Sequence, residues 1–140
     1  MKINMSTPKL FAIVIILVGL GFSFQNFAQE KPKPWSVPEN AKKVKSSVKN
    51  NAENLNIGKG VYAKHCKSCH GKSGEGDGTK AAELKTFPGD FTSDAFKAQS
   101  EAEIFYKTSE GRDDMPSFKK KIESEEDIWA VVLYISTLKK

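Results

Sequence analysis

Residues 61–70 read VYAKHCKSCH, and the fold turns on how this stretch is understood. Two cysteines stand three apart, a histidine follows the second directly, and the 140-residue chain has no other cysteine. Three chemistries compete for Cys66-Lys67-Ser68-Cys69-His70. Structural zinc needs four ligands, typically from two such pairs or from one pair with distant histidines. Here His65, Cys66, Cys69 and His70 crowd into six residues, and His70 beside Cys69 is awkwardly placed to close a tetrahedron with it. A thioredoxin-like dithiol belongs after a strand in an α/β pattern, and the strands are missing. The third chemistry is c-type haem attachment. Each cysteine forms a thioether with a haem vinyl group, two intervening residues let one helical turn present both sulfurs to one porphyrin edge, and His70 supplies an axial imidazole.

The surrounding chain weights these readings. Lys2 and Lys9 precede an apolar run, Leu10 to Phe24, and Asn26-Phe27-Ala28 ends in a small residue. That plan is a secretory signal peptide over residues 1–28, although Asn26 is a poor residue three before the cut. The rival is an uncleaved anchor, for which a run of 15 residues with Gly19 and Gly21 is short against the roughly 20 apolar residues of a spanning helix. Either way an exported, periplasmic domain is expected, where neighbouring thiols do not stay idle.

The net charge of +5 sits outside that domain. Residues 31–50 carry six lysines against Glu39, whereas residues 51–140 hold 14 basic and 15 acidic side chains. The domain lacks a basic face with interleaved aromatics, so nucleic acid is not an expected partner. Residues 29–50, rich in proline and lysine, are expected as a linker. It would be a solvated tether, or an arm that docks through Trp35 on a partner or an anionic membrane surface.

Residues 51–140 read as one all-α domain. Leu55, Gly58 and Tyr62 share a face of a helix over 52–65, and Gly58 inside it suggests that another element passes close to the backbone. Residues 71–99 read as a long glycine-punctuated loop with one helical turn around 80–84, of a length that suggests it wraps something. Ser100 and Glu103 form a capping box for a helix ending at Gly111. Ser124 caps a last helix, with Glu125, Glu126 and Asp127 at its positive end and Lys139 and Lys140 at the other. Its stretch IWAVVLYI (128–135) is apolar nearly all round, which predicts burial on more than one side. One side would pack on the first helix and another on a large apolar ligand. Gly74-x-Gly76-x-Gly78 lacks the preceding strand and following lysine of a phosphate loop. Lys119-Lys120-Lys121 reads as a solvated turn that could also steer an acidic partner, and His65 as an ordinary surface histidine.

A haem held by His70 has one axial position left to fill or leave open. Met115 is the sole methionine beyond the N-terminal segment and lies in Arg112-Asp113-Asp114-Met115-Pro116. Pro116 keeps the preceding residue out of a helix, and flanking charge argues against core filler. Met115 is therefore the candidate second ligand.

With GKGVYAKHCKSCHG (58–71), Pro88, MPSF (115–118) and EEDIWAVVLYISTL (125–138), the chain resembles the class I monohaem c-type cytochromes over about residues 52–139, and most closely the bacterial single-domain and oxidase-associated members. The resemblance implies three to four helices wrapped around one haem c bound through Cys66 and Cys69. It implies that Gly58 and Tyr62 pack against an aromatic of the last helix, either Trp129 or Tyr134. It also implies that Pro88 offers its carbonyl to the second nitrogen of His70, a bond that orients the imidazole. The expected function is one-electron transfer with His70 and Met115 on the iron. A monomer is expected, serving redox partners as donor and acceptor and not acting as an enzyme. The alternative is an electron-entry subunit of a larger oxidoreductase.

Overall fold

The computed structural model describes residues 29–139. Their helices are α1 (Ala52–His65), α2 (Lys67–His70), α3 (Asp94–Lys97), α4 (Glu101–Glu110) and α5 (Glu125–Leu138), with single 3-10 turns at Ala41–Lys43 and Ala81–Glu83. None of these helices is long and apolar enough to cross a membrane. The segment 1–28, read above as a signal peptide or anchor, lies outside the described residues.

Local chemistry sets the helix ends. The Asn51 side chain accepts a hydrogen bond from Asn54 N (2.9 Å), which opens α1. Ser100 and Glu103 form the full capping box of α4, and Gly111 (φ +68°) closes it in a conformation that favours glycine. Ser124 caps α5 through Asp127 N at 3.0 Å, with three carboxylates in the first turn against the positive helix end. Lys139 does not serve its own helix end as expected. Its ammonium donates to Gln99 O (2.7 Å) and so ties the end of α5 to the start of α4.

The core is α5 held between two helices. Across α1, the backbone at Gly58 lies so close to α5 that a β-carbon there would sit 2.0 Å from Ala130 O. One turn on, the Tyr62 and Tyr134 rings pack at 5.3 Å. Across α4, Phe105 stacks on Trp129 at 4.0 Å, nearly parallel. This divides the two candidate aromatics: Tyr134 meets the Gly58–Tyr62 face, and Trp129 meets α4. Trp129, Val131 and Val132 are fully buried, each stabilising the fold by roughly 1.5–3 kcal/mol. The all-round apolarity of α5 thus has a different cause from the one expected. Its second side is covered by α4, and only Ile135 of this helix reaches the large cavity described below.

Residues 29–50 do not hang free as a linker. Glu30 pairs with the 85–87 segment (Glu30 N to Lys85 O, 3.0 Å; Phe87 N to Glu30 O, 3.1 Å). Val37 is buried, and the turn at Ala41–Lys43 packs on α4. The helical turn at Ala81–Glu83 falls where one was expected; α3, capped by Ser93, was not foreseen.

Candidate functional site

A cavity of about 750 Å³ opens between α2, the 84–99 segment and the 112–118 loop. Its volume lies within the roughly 300–1,000 Å³ of small-molecule and cofactor sites. Cys66, Cys69, His70, Pro88 and Met115 all line it. Residues read separately along 50 positions of sequence are therefore gathered on one wall system.

The attachment turn is built from the end of α1. Cys66 is the C-cap of that helix, and its N–H donates to Tyr62 O at 2.9 Å. The chain then starts a second short helix that carries Cys69 and His70, with both of their N–H groups donating to Cys66 O. The last carbonyls of a helix lack intrahelical partners. Here the glycine loop supplies them: Lys80 N donates to Ser68 O (2.8 Å), Gly78 N to Cys69 O (3.2 Å) and Gly76 N to His70 O (3.0 Å). Gly78 approaches so closely that a β-carbon would lie 2.3 Å from Ser68 O. The run Gly74–Gly78 is thus the cradle of the attachment turn. Glycine spacing alone signalled a loop and not this task.

The Tyr62 hydroxyl donates to Gly71 O at 2.8 Å, pinning the residue after His70 to α1. Burial raises its pKa, so it remains a donor. Tyr62→Phe is expected to cost about 1–2 kcal/mol, read as a lower denaturant midpoint of the haem-loaded protein with its visible spectrum retained.

Electrostatics discriminate among the three chemistries. Burial, with a smaller contribution from Cys69, pushes the Cys66 thiol up to about 12. A redox dithiol needs the opposite, a thiolate near neutral pH. Burial holds His70 down to about 4, so its imidazole is neutral at pH 7 and free to ligate a metal. Among the described residues no three His, Cys, Asp or Glu side chains converge as a metal cluster.

A haem fits these residues. Two thiols and a neutral imidazole share one apolar-walled cavity, and His70 Nδ1 is buried with no hydrogen-bond partner. An orphaned polar atom of this kind marks a site whose chemistry is incomplete in protein atoms alone. Pro88 lies on the same wall but does not receive that nitrogen. Phe91 instead stacks on the imidazole at 4.7 Å, and Phe96 stacks on Phe91 at 4.4 Å. Phe91 is buried, and its N–H donates to Gly74 O (2.7 Å), so the glycine loop also positions this aromatic. Sequence reasoning missed it because a lone phenylalanine in a loop carries no periodic signal.

Met115 sits half-buried at the far loop. Arg112 and Met115 exchange backbone hydrogen bonds (2.8 and 2.9 Å) around Asp113, the one described non-glycine residue in left-handed backbone (φ +51°). The Asp114 carboxylate accepts from Lys85 N (2.8 Å) and Thr86 N (3.2 Å), fixing this loop to the segment that leads into Pro88. Gly111 allows the tight return, since a β-carbon there would meet the backbone of Pro116 and Ser117 at 2.4 Å. One further residue differs from expectation. His65 is half-covered, with its ring edge-on to Phe118 at 6.0 Å, and lines the cavity. Lys119–Lys121 is exposed as expected, and Lys121 reaches the cavity rim.

Comparisons with known proteins agree with this geometry. The family described as "Cytochrome C oxidase, cbb3-type, subunit III" matches residues 53–135. Among solved structures, the chain is similar to the reducing HAO-like protein complex Kustc0457/Kustc0458 of Kuenenia stuttgartiensis, at 28% identity and a TM-score of 0.61, over 69% of this chain and 50% of that one. It thus spans half the length of that relative. It is also similar to the c-type cytochrome KustC0563, at 29% identity and a TM-score of 0.51, over 59% of this chain and 98% of that one. No curated protein matches the chain. With most of the domain inside the family match and the attachment turn, cavity and neutral imidazole all in place, the chain belongs to the cbb3-type subunit III family of cytochrome c domains and is a monohaem class I c-type cytochrome, an electron-transfer protein carrying covalent haem c.

Proposed function

We propose that this domain is a one-electron carrier of an exported redox chain, with Cys66 and Cys69 as the thioether anchors and His70 and Met115 as the two axial ligands. The observation that carries the reading is the shared cavity: both anchors, the neutral imidazole and the sole methionine of the described residues line it together. When bound, the haem supplies a one-electron Fe(II)/Fe(III) couple. The chain's own work is to hold and insulate it. Cys66 and Cys69 would hold the haem through thioethers, and His70 and Met115 would ligate its iron from the cavity walls they line, which would leave no position for oxygen or peroxide and suits a carrier rather than an enzyme. Phe91, Ile104 and Phe118 keep water from the cavity wall. In the haem-loaded protein the Pro88 carbonyl, on the same cavity wall, would be the acceptor for the His70 Nδ1 that has no partner among protein atoms. One electron enters from a reduced donor protein and one leaves to an oxidised acceptor. Export rests on the charged, then apolar, N-terminal run.

Intact mass and a pyridine-haemochrome spectrum of the purified protein test the reading. One covalent haem per chain with two thioether links is expected, and a mass that shows residues 1–28 removed supports a cleaved signal. A haem lost under denaturing conditions would end the anchor assignment. The similarity to part of a redox protein complex favours a second reading, that the domain is the electron-entry subunit of a larger assembly. Size-exclusion of native extract separates the two: a free carrier runs near its own mass, and a subunit co-elutes with its enzyme.

A further inference from the structure

The 29–37 segment precedes the family match, which begins at residue 53, yet Pro32, Lys33, Pro34 and Trp35 line the same cavity as His70 and Met115. It is fastened at both ends of that opening. At one end Gln29 Nε2 donates to Leu84 O (3.0 Å), and Glu30 pairs with Lys85 and Phe87 on the way to Pro88. At the other, the Arg112 guanidinium donates from Nη2 to Lys33 O (3.0 Å) and from Nη1 to Pro34 O (3.1 Å). The same guanidinium lies over the Trp35 ring at 4.4 Å. Val37, buried at its end, anchors the exit of the segment. Pro32 and Pro34 restrict the backbone between these fixings, so the segment has little entropy left to lose on docking.

Arg112 links this segment to the haem side. Its backbone exchanges both hydrogen bonds with Met115, and its side chain holds two carbonyls of the segment. Asp114, between them, binds the backbone of the 85–86 stretch to which Glu30 is also paired. We propose that residues 29–37 form a clasp across the haem cleft that holds the Met115 loop closed, with Arg112 and Trp35 as positioning residues for the methionine side of the iron. The proposal rests on the reading of Met115 as an axial ligand. Its physical content is a shift in population. An added ligand reaches the iron only when the Met115 loop has opened, so its apparent affinity scales with the open fraction. Lysine at 112 keeps the charge but cannot form the two-pronged bond, and alanine at 35 removes the surface on which the guanidinium rests.

The test uses the haem-loaded ferric protein and imidazole as the probe ligand. Arg112→Lys is expected to raise imidazole affinity about tenfold, the effect of losing about one charge-assisted hydrogen bond from the closed state, and Trp35→Ala about threefold, the effect of losing the cation–π contact under the guanidinium. Ser100→Ala, which removes the α4 cap, serves as a destabilised control and is expected to leave the affinity at the parent value. Met115→Ala sets the ceiling. If it binds imidazole far more tightly than the parent while both clasp variants stay at the parent value, the clasp is wrong and the ligand assignment stands. If Met115→Ala binds no better than the parent, the ligand assignment falls, and the clasp with it. A control that rises as far as the clasp variants also overturns the proposal, because general loosening would then account for the effect.

Discussion

Met115→Ala is expected to lower the reduction potential by on the order of 0.1 V or more, since axial ligands command a span of roughly 0.8 V, while leaving the haem covalently attached. The thioether of methionine favours Fe(II) and raises the potential. With Met115 as ligand, its loss would leave that position to water, which favours Fe(III). The loop itself has every reason to survive the substitution. Its shape is set by the backbone pair between Arg112 and Met115, by Gly111 against Pro116, and by the Asp114 carboxylate on Lys85 and Thr86. None of these uses the Met115 side chain. Potentiometric titration, together with the far-red absorption of ferric iron bound to methionine sulfur, reads the outcome. Met115→His separates ligand identity from ligand loss: two imidazoles keep both axial positions filled, so the far-red band is expected to vanish and the potential to fall without ligand access opening. An unchanged band and potential in Met115→Ala would remove this residue from the iron.

The parts of this molecule that were readable in advance share a physical property: their signal is local. Ser100 with Glu103, Ser124 with its three carboxylates, and the Cys66–His70 motif each declare themselves within a few residues. Gly58 was readable because glycine inside a helix is costly unless something needs the space. What stayed hidden depends on pairing over long sequence distances. Arg112 reaches Lys33 and Pro34, 79 and 78 residues away, and no spacing rule announces such a contact. The proline-rich segment looked like a tether because its composition is polar. Its docking instead rests on backbone carbonyls, a single tryptophan and a buried valine, none of which alters composition much. The apolar girth of α5 was read correctly as burial on two sides. Its second neighbour was misassigned because Phe105 and Trp129 lie 24 residues apart on helices separated by the whole 111–124 segment, and no spacing rule pairs them.

Gly58→Ala and Gly60→Ala, two residues apart on α1, are expected to move stability in opposite directions. Alanine is the better helix former at either position by up to about 1 kcal/mol, and by propensity alone both substitutions should stabilise. At Gly60 nothing lies within 4 Å of the added carbon, so that gain is realised. At Gly58 the carbon would sit 2.0 Å from Ala130 O and 2.5 Å from its carbonyl carbon, with Tyr134 Cβ at 3.0 Å. Two of these atoms are backbone within the buried stretch of α5 from Ile128 to Leu133, so no rotamer change relieves the clash. The helices must separate, at a cost of about 1–3 kcal/mol or more for overpacking, with the Tyr62–Tyr134 contact weakened by a further roughly 0.5–1.5 kcal/mol. Chemical denaturation of the two haem-loaded variants reads the sign directly. Because Cys66 caps the C-terminal end of α1, a displaced helix also shifts the attachment turn. Gly58→Ala is therefore expected to perturb the visible spectrum before unfolding, and Gly60→Ala is not. Equal and positive stability changes at both positions would mean that α1 and α5 do not cross at Gly58.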